Sequence, residues 1–252
     1  MNRIVSLVPS ITELVCELGL AAELVGRTGF CVHPREALRR IPKVGGTKSV
    51  DLAKVRALEP THVILNVDEN RKQTADALAE FVPNLIVTHP LGPIDNLALY
   101  RQIGKAFGKQ AEAERLCERF ESVLRDVAKG KFPERGVLYL IWKDPWMTVS
   151  RDTYISRTLA LFGMQTLPER ADARYPKLAL TERFIEQADI VLLSTEPYRF
   201  GRPHLDEVGG KTGKPAFLID GEMTSWYGPR AIAGLRYLAE FSREAASPPA
   251  AA

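Results

Sequence analysis

The sequence predicts an α/β protein with two Rossmann-like lobes, each containing a parallel sheet, joined by a long helical region. Short apolar segments rich in β-branched residues alternate with helical segments in both halves of the chain, which is typical of parallel βαβ units. The longest helical stretch, residues 94–129, separates these halves. With 252 residues, 45% of them hydrophobic, the chain is long enough for two compact lobes.

The N-terminal lobe is predicted over residues 1–92. Its strands are the four short β-branched segments 3–9, 23–28, 61–66 and 84–89. A helix follows the first strand, where Ser10 and Glu13 have the spacing of a capping box and Gly19 is a stop signal. Asp51 is the predicted N-cap of a second helix, and "NRKQTADALAEF" predicts a third.

The helical region, residues 93–131, is predicted to be interrupted around "FGKQ". After this interruption, apolar residues recur on one face with the period of a helix. They are Ala113, Leu116, Phe120, Val123, Leu124 and Val127. This region is expected to act as a strut.

The C-terminal lobe is predicted over residues 132–245, followed by a disordered tail, 246–252. Its predicted strands are "GVLYLIW", "ADIVLLS" and "PAFLID". Its predicted helices are "TYISRTLALFG", "LTERFIEQ" and "GPRAIAGLRYLAEFSRE". The alternation again indicates a parallel sheet.

Composition argues against several classes of function. A net charge of +3 with scattered basic residues does not indicate nucleic-acid binding. Cys16, Cys31 and Cys117 are far apart, so neither a disulfide framework nor a structural zinc site is expected. "VGGKTGKP" lacks the spacing of a phosphate-binding loop, and the sequence contains no G-x-S-x-G, HExxH or G-x-G-x-x-G motif.

The chain as given also has no apolar segment of membrane-spanning length and no secretory signal at its start. We therefore expect a cytoplasmic monomer, or a periplasmic protein if an export segment was omitted.

Loops that follow strands are the expected ligand-binding elements of open α/β sheets. In the C-terminal lobe these loops are unusually aromatic and contain all three tryptophans of the protein. The aromatic residues there are Trp142, Trp146, Tyr198, Phe200, Trp226 and Tyr227. Aromatic surface of this kind suits a flat, largely apolar ligand, oriented by polar groups such as Arg199 or Arg230. The alternative is that each aromatic ring only pins its own loop to the lobe.

Four segments carry a resemblance to a known family: "RIVSLVPSITELVCELGL", "VGRTGFCVHP", "KVGGTKSVDLAKVRALEPTHVIL" and "ADIVLLS". In order and spacing, over about residues 3 to 243, the chain resembles the substrate-binding proteins of bacterial ABC importers that have a rigid helical backbone. Their ligands are cobalamin, haem and ferric siderophores, and the vitamin B12-binding proteins are the most similar group. The resemblance implies two lobes bridged by one long rigid helix, with the ligand in the cleft between them.

The resemblance places ligand-contacting aromatic side chains at Phe30, Trp146 and Trp226. With the loop residues, the candidate ligand-binding set is Pro9, Ser10, Phe30, Cys31, His33, Thr47, Asn66, Trp142, Trp146, Glu196, Tyr198, Phe200, Trp226, Tyr227 and Arg230. Thr47 and Asn66 stand where vitamin B12-binding proteins carry tryptophan. Such proteins dock onto the permease through two carboxylates. Lys72 stands near the position of one of them, although Glu69 is close by. The segment "WYGPR" lacks the second carboxylate.

The predicted function is non-enzymatic binding of a cobalamin-like or other metal-chelate ligand, by an ABC uptake component or a cytoplasmic relative of one. No cofactor of its own is expected, and the partners are the ligand and an ABC permease. One alternative is an enzyme that uses Asp68, Glu69, Glu196, Asp220, Glu222 or His33 for acid–base chemistry. Another is a module whose aromatic loops dock a protein. Ligation of an iron or cobalt centre by His33 or Cys31 is a further hypothesis.

Overall fold

A computed structural model describes residues 2–245, and the predicted tail 246–252 lies outside the described residues. These residues form two compact units. The first comprises residues 2–90, 95–118 and 227–229, and the second comprises 91–94, 119–226 and 230–245. Each contains one four-stranded sheet in which every strand pair is parallel, so the predicted fold class is confirmed.

The sheet of the first unit has the strand order β2-β1-β3-β4. Its strands are β1 (Ile4–Ser6), β2 (Leu24–Arg27), β3 (His62–Asn66) and β4 (Asn84–Thr88). The helices that accompany them are α1 (Pro9–Glu17), α2 (Arg35–Leu38), α3 (Leu52–Ala57), α4 (Lys72–Ala79) and α5 (Asp95–Ala106). All four strands lie within the segments predicted from the sequence. Buried aliphatic side chains such as Val5, Val63 and Leu65 form the core beside the sheet.

The predicted capping box at the start of α1 is wrong. The N-cap is two residues earlier, at Val8, so that the helix begins at Pro9 with no hydrogen bond from the cap side chain. A proline in the first turn has the φ angle of a helix and needs no hydrogen bond, so the helix can begin there. Ser10 is therefore inside the first turn, and its buried hydroxyl finds no hydrogen-bond partner among residues 2–245. The other end is as predicted, because Gly19 has the left-handed φ of +78° that ends a helix.

The predicted cap of α3 is confirmed. Asp51 is the N-cap, and its carboxylate accepts a 3.1 Å hydrogen bond from the backbone N–H of Lys54. The same hydrogen bond lowers the pKa of the Asp51 carboxyl group below its ordinary value.

The helical region after β4 consists of α5 and a nineteen-residue helix, α6 (Gln110–Ala128). The predicted interruption is present at residues 107–109, where Gly108 has a φ of +68°. Along α6, the predicted apolar face is buried at Ala113, Leu116, Phe120, Val123 and Val127, and half-buried at Leu124. None of the helices within residues 2–245 is both long and apolar enough to span a bilayer.

The sheet of the second unit has the strand order β6-β5-β7-β8. Its strands are β5 (Arg135–Leu140), β6 (Met164–Leu167), β7 (Ile190–Ser194) and β8 (Ala216–Ile219). Its helices after α6 are α7 (Tyr154–Ala160), α8 (Arg202–Thr212), α9 (Gly221–Ser225) and α10 (Arg230–Glu244). The sequence did not predict β6, α8 or α9. The predicted helix 180–187 is a shorter 3₁₀ turn, Arg183–Gln187, held by i→i+3 hydrogen bonds.

Since all strands in each sheet run the same way, their carboxyl ends lie at one edge of that sheet. The loops that leave this edge are called the carboxyl-edge loops of each unit. In the first unit they are residues 7–10, 28–34, 66–71 and 89–90, which follow the four strands, and residues 44–50, which follow the parallel bridge between Lys43 and Arg27. In the second they are residues 141–153, 168–182, 194–201 and 220–226.

Candidate functional site

The carboxyl-edge loops of the first unit expose three apolar side chains. Phe30 is 60% exposed, and Val32 and Val67 are 44% and 53% exposed. The Phe30 ring packs beside Gly46, so closely that a Cβ added to this glycine would lie 3.3 Å from the edge of the ring. Exposed apolar side chains on several loops at one edge of a sheet indicate a binding surface more than a single one does. Of the predicted ligand-contacting residues in this unit, Phe30 offers the most surface.

Thr47 and Asn66 lie on two other carboxyl-edge loops of the first unit. Thr47 is half-buried. Asn66 is buried, and its side-chain oxygen accepts hydrogen bonds from the backbone N–H groups of Asp68 at 2.8 Å and Glu69 at 3.3 Å. This Asx turn fixes the loop after β3. The Asn66 side chain therefore shapes the loop on which Val67 is exposed.

Cys31 is fully buried below its loop. The hydroxyl of Thr12 donates to its sulfur at 3.0 Å, and the hydroxyl of Thr28 lies 3.1 Å from it. Burial raises the pKa of the Cys31 thiol, which opposes formation of the thiolate that ligates metals. The structure therefore argues against Cys31 as a metal ligand.

Three further candidates of the first unit, Pro9, Ser10 and His33, differ in exposure. Pro9 and Ser10 are buried in the first turn of α1, and His33 is half-buried on the loop after β2. Within residues 2–245, no group of three or more His, Cys or acidic residues is arranged to hold a metal ion. Ligation by His33 stays a hypothesis.

The second unit brings four predicted residues together in one aromatic cluster. Trp142 meets Tyr198 edge to face, with ring centroids 5.6 Å apart, and Trp146 stacks on Phe200 with centroids 6.0 Å apart. Tyr198 and Phe200 join the two pairs at 4.5 Å. Trp142 is 40% exposed, whereas Phe200 is buried. In this cluster, therefore, Trp142 is the ring most available to a ligand.

Trp146 also contacts cationic groups. The ammonium groups of Lys143 and Lys211 lie 5.5 and 5.9 Å from its ring centroid. Both lysines pair with Glu207, at 2.5 and 2.8 Å. The hydrogen bond from Lys143, followed by that from Lys211, lowers the pKa of the Glu207 carboxyl group to about 2. These contacts hold Trp146 in place inside its loop.

His204 belongs to the same cluster, although the sequence did not single it out. Its Nδ1 accepts a 3.0 Å hydrogen bond from the backbone N–H of Gly201, which caps the start of α8. Its ring also meets Tyr198 and Phe200 edge to face. The only local signal for this role is the three-residue spacing from Gly201 to His204.

Trp226 lies in a second group, with Glu196 and Arg230. The Trp226 side chain is 6% exposed, and the Arg230 guanidinium lies 5.0 Å from its ring centroid. Arg230 also pairs with Glu222 at 3.2 Å. Burial raises the pKa of the Glu196 carboxyl group to about 7, against the opposing effect of a hydrogen bond from Trp226. The role of Trp226 as a surface for ligand stays a prediction.

Tyr227 takes part in a different set of contacts, within the first unit. Its hydroxyl donates a hydrogen bond to a carboxylate oxygen of Glu69. The neighbouring Gly228 donates its N–H to Asn96 at 2.7 Å and accepts from the hydroxyl of Tyr100 at 2.8 Å. Tyr227 therefore serves at least to anchor its own segment.

The remaining acidic candidates have structural contacts of their own. Asp220 is the N-cap of α9, where its carboxylate accepts from the N–H of Met223 at 3.1 Å. Asp68 lies with one carboxylate oxygen 3.6 Å from Nε2 of His89. Glu196, which was also proposed for acid–base chemistry, has a pKa raised to about 7 by burial.

Comparison with known proteins agrees with this architecture. The model of the periplasmic binding protein family matches residues 4–217. An uncharacterised ABC transporter substrate-binding lipoprotein of Bacillus subtilis, YvrC, is 25% identical over 253 aligned positions, covering 95% of this chain and 79% of that protein. A vitamin B12-binding protein of Pectobacterium carotovorum is 21% identical, covering 92% of this chain and 84% of that protein.

A solved structure shows the same fold. The periplasmic heme-binding protein RhuT of Roseiflexus superposes with a TM-score of 0.83 at 23% identity, covering 98% of this chain and 99% of that one. The family match extends through both α/β units, from β1 to β8. The chain therefore belongs to the periplasmic binding protein family.

Proposed function

We propose that this chain binds a planar metal chelate of the corrinoid or haem class as cargo and presents it to an ABC permease. The observation that carries the proposal is the concentration of aromatic side chains on carboxyl-edge loops, where Trp142 and Phe30 are exposed. Proteins similar to this chain are named for binding vitamin B12 and heme. Both ligands are flat macrocycles with a large apolar face, which aromatic rings bind well.

The permease is proposed from the family and from the name of the Bacillus relative. The charges available for docking differ from those expected by resemblance. Lys72 pairs with Asp76 at 2.8 Å, and one carboxylate oxygen of Glu69 accepts from Tyr227. A permease that recognises this chain would therefore meet the Lys72–Asp76 ion pair at this position.

Catalysis on the bound ligand is the second candidate function. The observation that favours it is the raised pKa of the Glu196 carboxyl group. A carboxyl group with a pKa of about 7 can give or take a proton near neutral pH. Binding alone returns the ligand unchanged, whereas catalysis alters it. Mass spectrometry of the ligand recovered after incubation with the protein separates the two functions.

The test is titration of the purified protein with cyanocobalamin, haemin and a ferric hydroxamate siderophore, followed by visible absorbance and calorimetry. We expect one of the macrocycles to bind with a Kd below about 1 μM. Replacing Phe30 or Trp142 by alanine should weaken this binding by about tenfold, because each substitution removes an exposed aromatic ring from a carboxyl-edge loop.

Leu161→Ala is the matched control, since Leu161 is 39% exposed but follows α7 rather than lying on a carboxyl-edge loop. Its affinity should equal that of the wild type. The proposal fails if no probe binds saturably, or if both ring variants bind as tightly as the wild type. If only the siderophore binds, the macrocycle proposed as the ligand is wrong, and the ligand is an iron chelate of the siderophore class.

A further inference from the structure

Asn70 is a buried residue at the carboxyl edge of the first unit that the sequence did not single out. Its side chain is 7% exposed. Its Nδ2 donates to the backbone carbonyl of Thr47 at 3.0 Å and to that of Leu7 at 3.3 Å. Its Oδ1 accepts from the backbone N–H of Asn66 at 2.8 Å. Both amide hydrogens and the oxygen are therefore used, each on a different segment of the chain.

The three segments are carboxyl-edge loops that carry candidate ligand-binding residues. Leu7 leads from β1 into the first turn of α1, where Pro9 and Ser10 lie. Thr47 and Asn66 are themselves candidates, on the loop before α3 and the loop after β3. One amide group thus joins the backbones of three loops that are separate in sequence.

The contacts are to backbone atoms, so they fix the path of each loop and not only a side chain. A buried carbonyl that loses its donor has to find another one or be exposed to water. Lys48 supplies one other link between two of these loops, through its Nζ and the carbonyl of Asp68 at 2.6 Å. That lysine is exposed, and its link does not include Leu7.

We propose that Asn70 is a positioning residue that sets the mutual placement of these three loops and thereby the affinity and selectivity for the ligand. The inference rests on the proposed function, since it concerns the same loops. Asn70 itself is buried and acts through the backbone of Leu7, Thr47 and Asn66.

The test compares Asn70→Asp with the wild type. Aspartate has nearly the same shape and can still accept from Asn66, but it cannot donate, and its charge faces two carbonyl oxygens. We expect hydrogen exchange of peptides spanning residues 5–10 and 44–50 to become faster together, while exchange in the second unit is unchanged. Asn70→Ser, which is shorter and uncharged, replaces this variant if Asn70→Asp does not fold.

Asn84→Asp is the matched control. Asn84 also donates from its side chain to a backbone carbonyl, that of Thr61 at 3.0 Å, but it lies at the first residue of β4, the opposite edge of the same sheet. This variant should leave exchange of the three carboxyl-edge loops unchanged.

The second readout is ligand binding by protein shown to be folded under the conditions of the titration. Asn70→Asp should weaken binding of the preferred probe by about tenfold or more, change the ratio of affinities for cyanocobalamin and haemin, and shift the visible band of the bound ligand. If Asn70 only stabilised the fold, its replacement would lower the unfolding midpoint but would leave the affinity, the ratio of affinities and the visible band of the folded protein unchanged.

The outcomes separate this inference from the function on which it rests. If the wild type binds no probe, the proposed function fails, and the binding half of this inference fails with it. If the wild type binds and Asn70→Asp binds with the same affinity and selectivity, this inference alone is overturned. It is also overturned if the segments 5–10 and 44–50, whose carbonyls lose their donor, do not exchange faster together.

Discussion

Trp226 donates its indole N–H to a carboxylate oxygen of Glu196, with Nε1 and Oε2 2.7 Å apart. The two residues belong to neighbouring carboxyl-edge loops of the second unit, since Glu196 follows β7 and Trp226 follows β8 and α9. The contact therefore joins these loops through a carboxyl group whose pKa burial raises to about 7. A change in the charge of Glu196 therefore acts on the contact between a half-buried carboxyl group and a buried indole ring.

The first prediction concerns the pH dependence of stability. An unfolded glutamate titrates near about pH 4.3, whereas Glu196 in the fold has a pKa of about 7. Between these two pKa values Glu196 is protonated in the folded state and ionised in the unfolded state. The free energy of unfolding therefore falls as the pH rises, and it stops changing above the folded pKa. We expect Glu196→Gln to remove this fall, which amounts to about 1–3 kcal/mol. Urea unfolding of both proteins between pH 4.5 and 8 measures it.

Glu207→Gln is the control for this prediction. Its carboxyl group has a pKa of about 2, because of the hydrogen bonds from Lys143 and Lys211, and it is charged throughout the range measured. Its substitution should change stability by the same amount at every pH. If wild type and Glu196→Gln differ equally at pH 4.5 and pH 8, Glu196 does not titrate as the structure indicates.

The second prediction concerns Tyr227 and Glu69. A hydrogen bond from a hydroxyl to a carboxylate stabilises a fold by about 1.5–3 kcal/mol. The bond from Tyr227 to Glu69 anchors the segment that also contains Gly228. We expect Tyr227→Phe and Glu69→Gln each to destabilise the fold, and the double variant to lose clearly less than their sum. A double-mutant cycle by chemical denaturation should therefore give a coupling energy of about 1 kcal/mol or more.

Tyr237→Phe provides the comparison, because the Tyr237 hydroxyl accepts from the N–H of Asp220 in the second unit. Its effect should add to that of Glu69→Gln to within about 0.5 kcal/mol. Simple additivity of Tyr227→Phe with Glu69→Gln would mean that the hydrogen bond does not form in solution.

Most of the architecture could be predicted because it depends on local periodicity. Six of the eight strands lie within predicted segments, and a seventh, β5, begins one residue before its predicted segment. The missed strand, β6, is a four-residue segment, MQTL, that follows directly on the α7 region and carries only weak β signal. Helix α8 was missed because Gly209 and Gly210 lower its propensity, although Val208 is buried on its inner face.

The site was predictable only in part. Strand ends located the loops, and the aromatic cluster of Trp142, Trp146, Tyr198 and Phe200 formed as a group. Burial depends on long-range packing, so the sequence did not show that Trp226 is nearly inaccessible. Asn70 was missed because its partners Leu7 and Thr47 are 63 and 23 residues away in sequence.

The last prediction compares two glycines inside helices of the second unit. Alanine is better than glycine in a helix by about 0.5–1 kcal/mol. Gly210 in α8 has nothing within 4 Å of an added Cβ, so Gly210→Ala should stabilise the protein by that amount. Gly234 in α10 is different, because its Cβ would lie 2.2 Å from the carbonyl oxygen of Met223 in α9. Gly234→Ala should therefore destabilise by about 1–3 kcal/mol. Urea unfolding measures both, and stabilisation by Gly234→Ala would show that α10 does not approach α9 this closely.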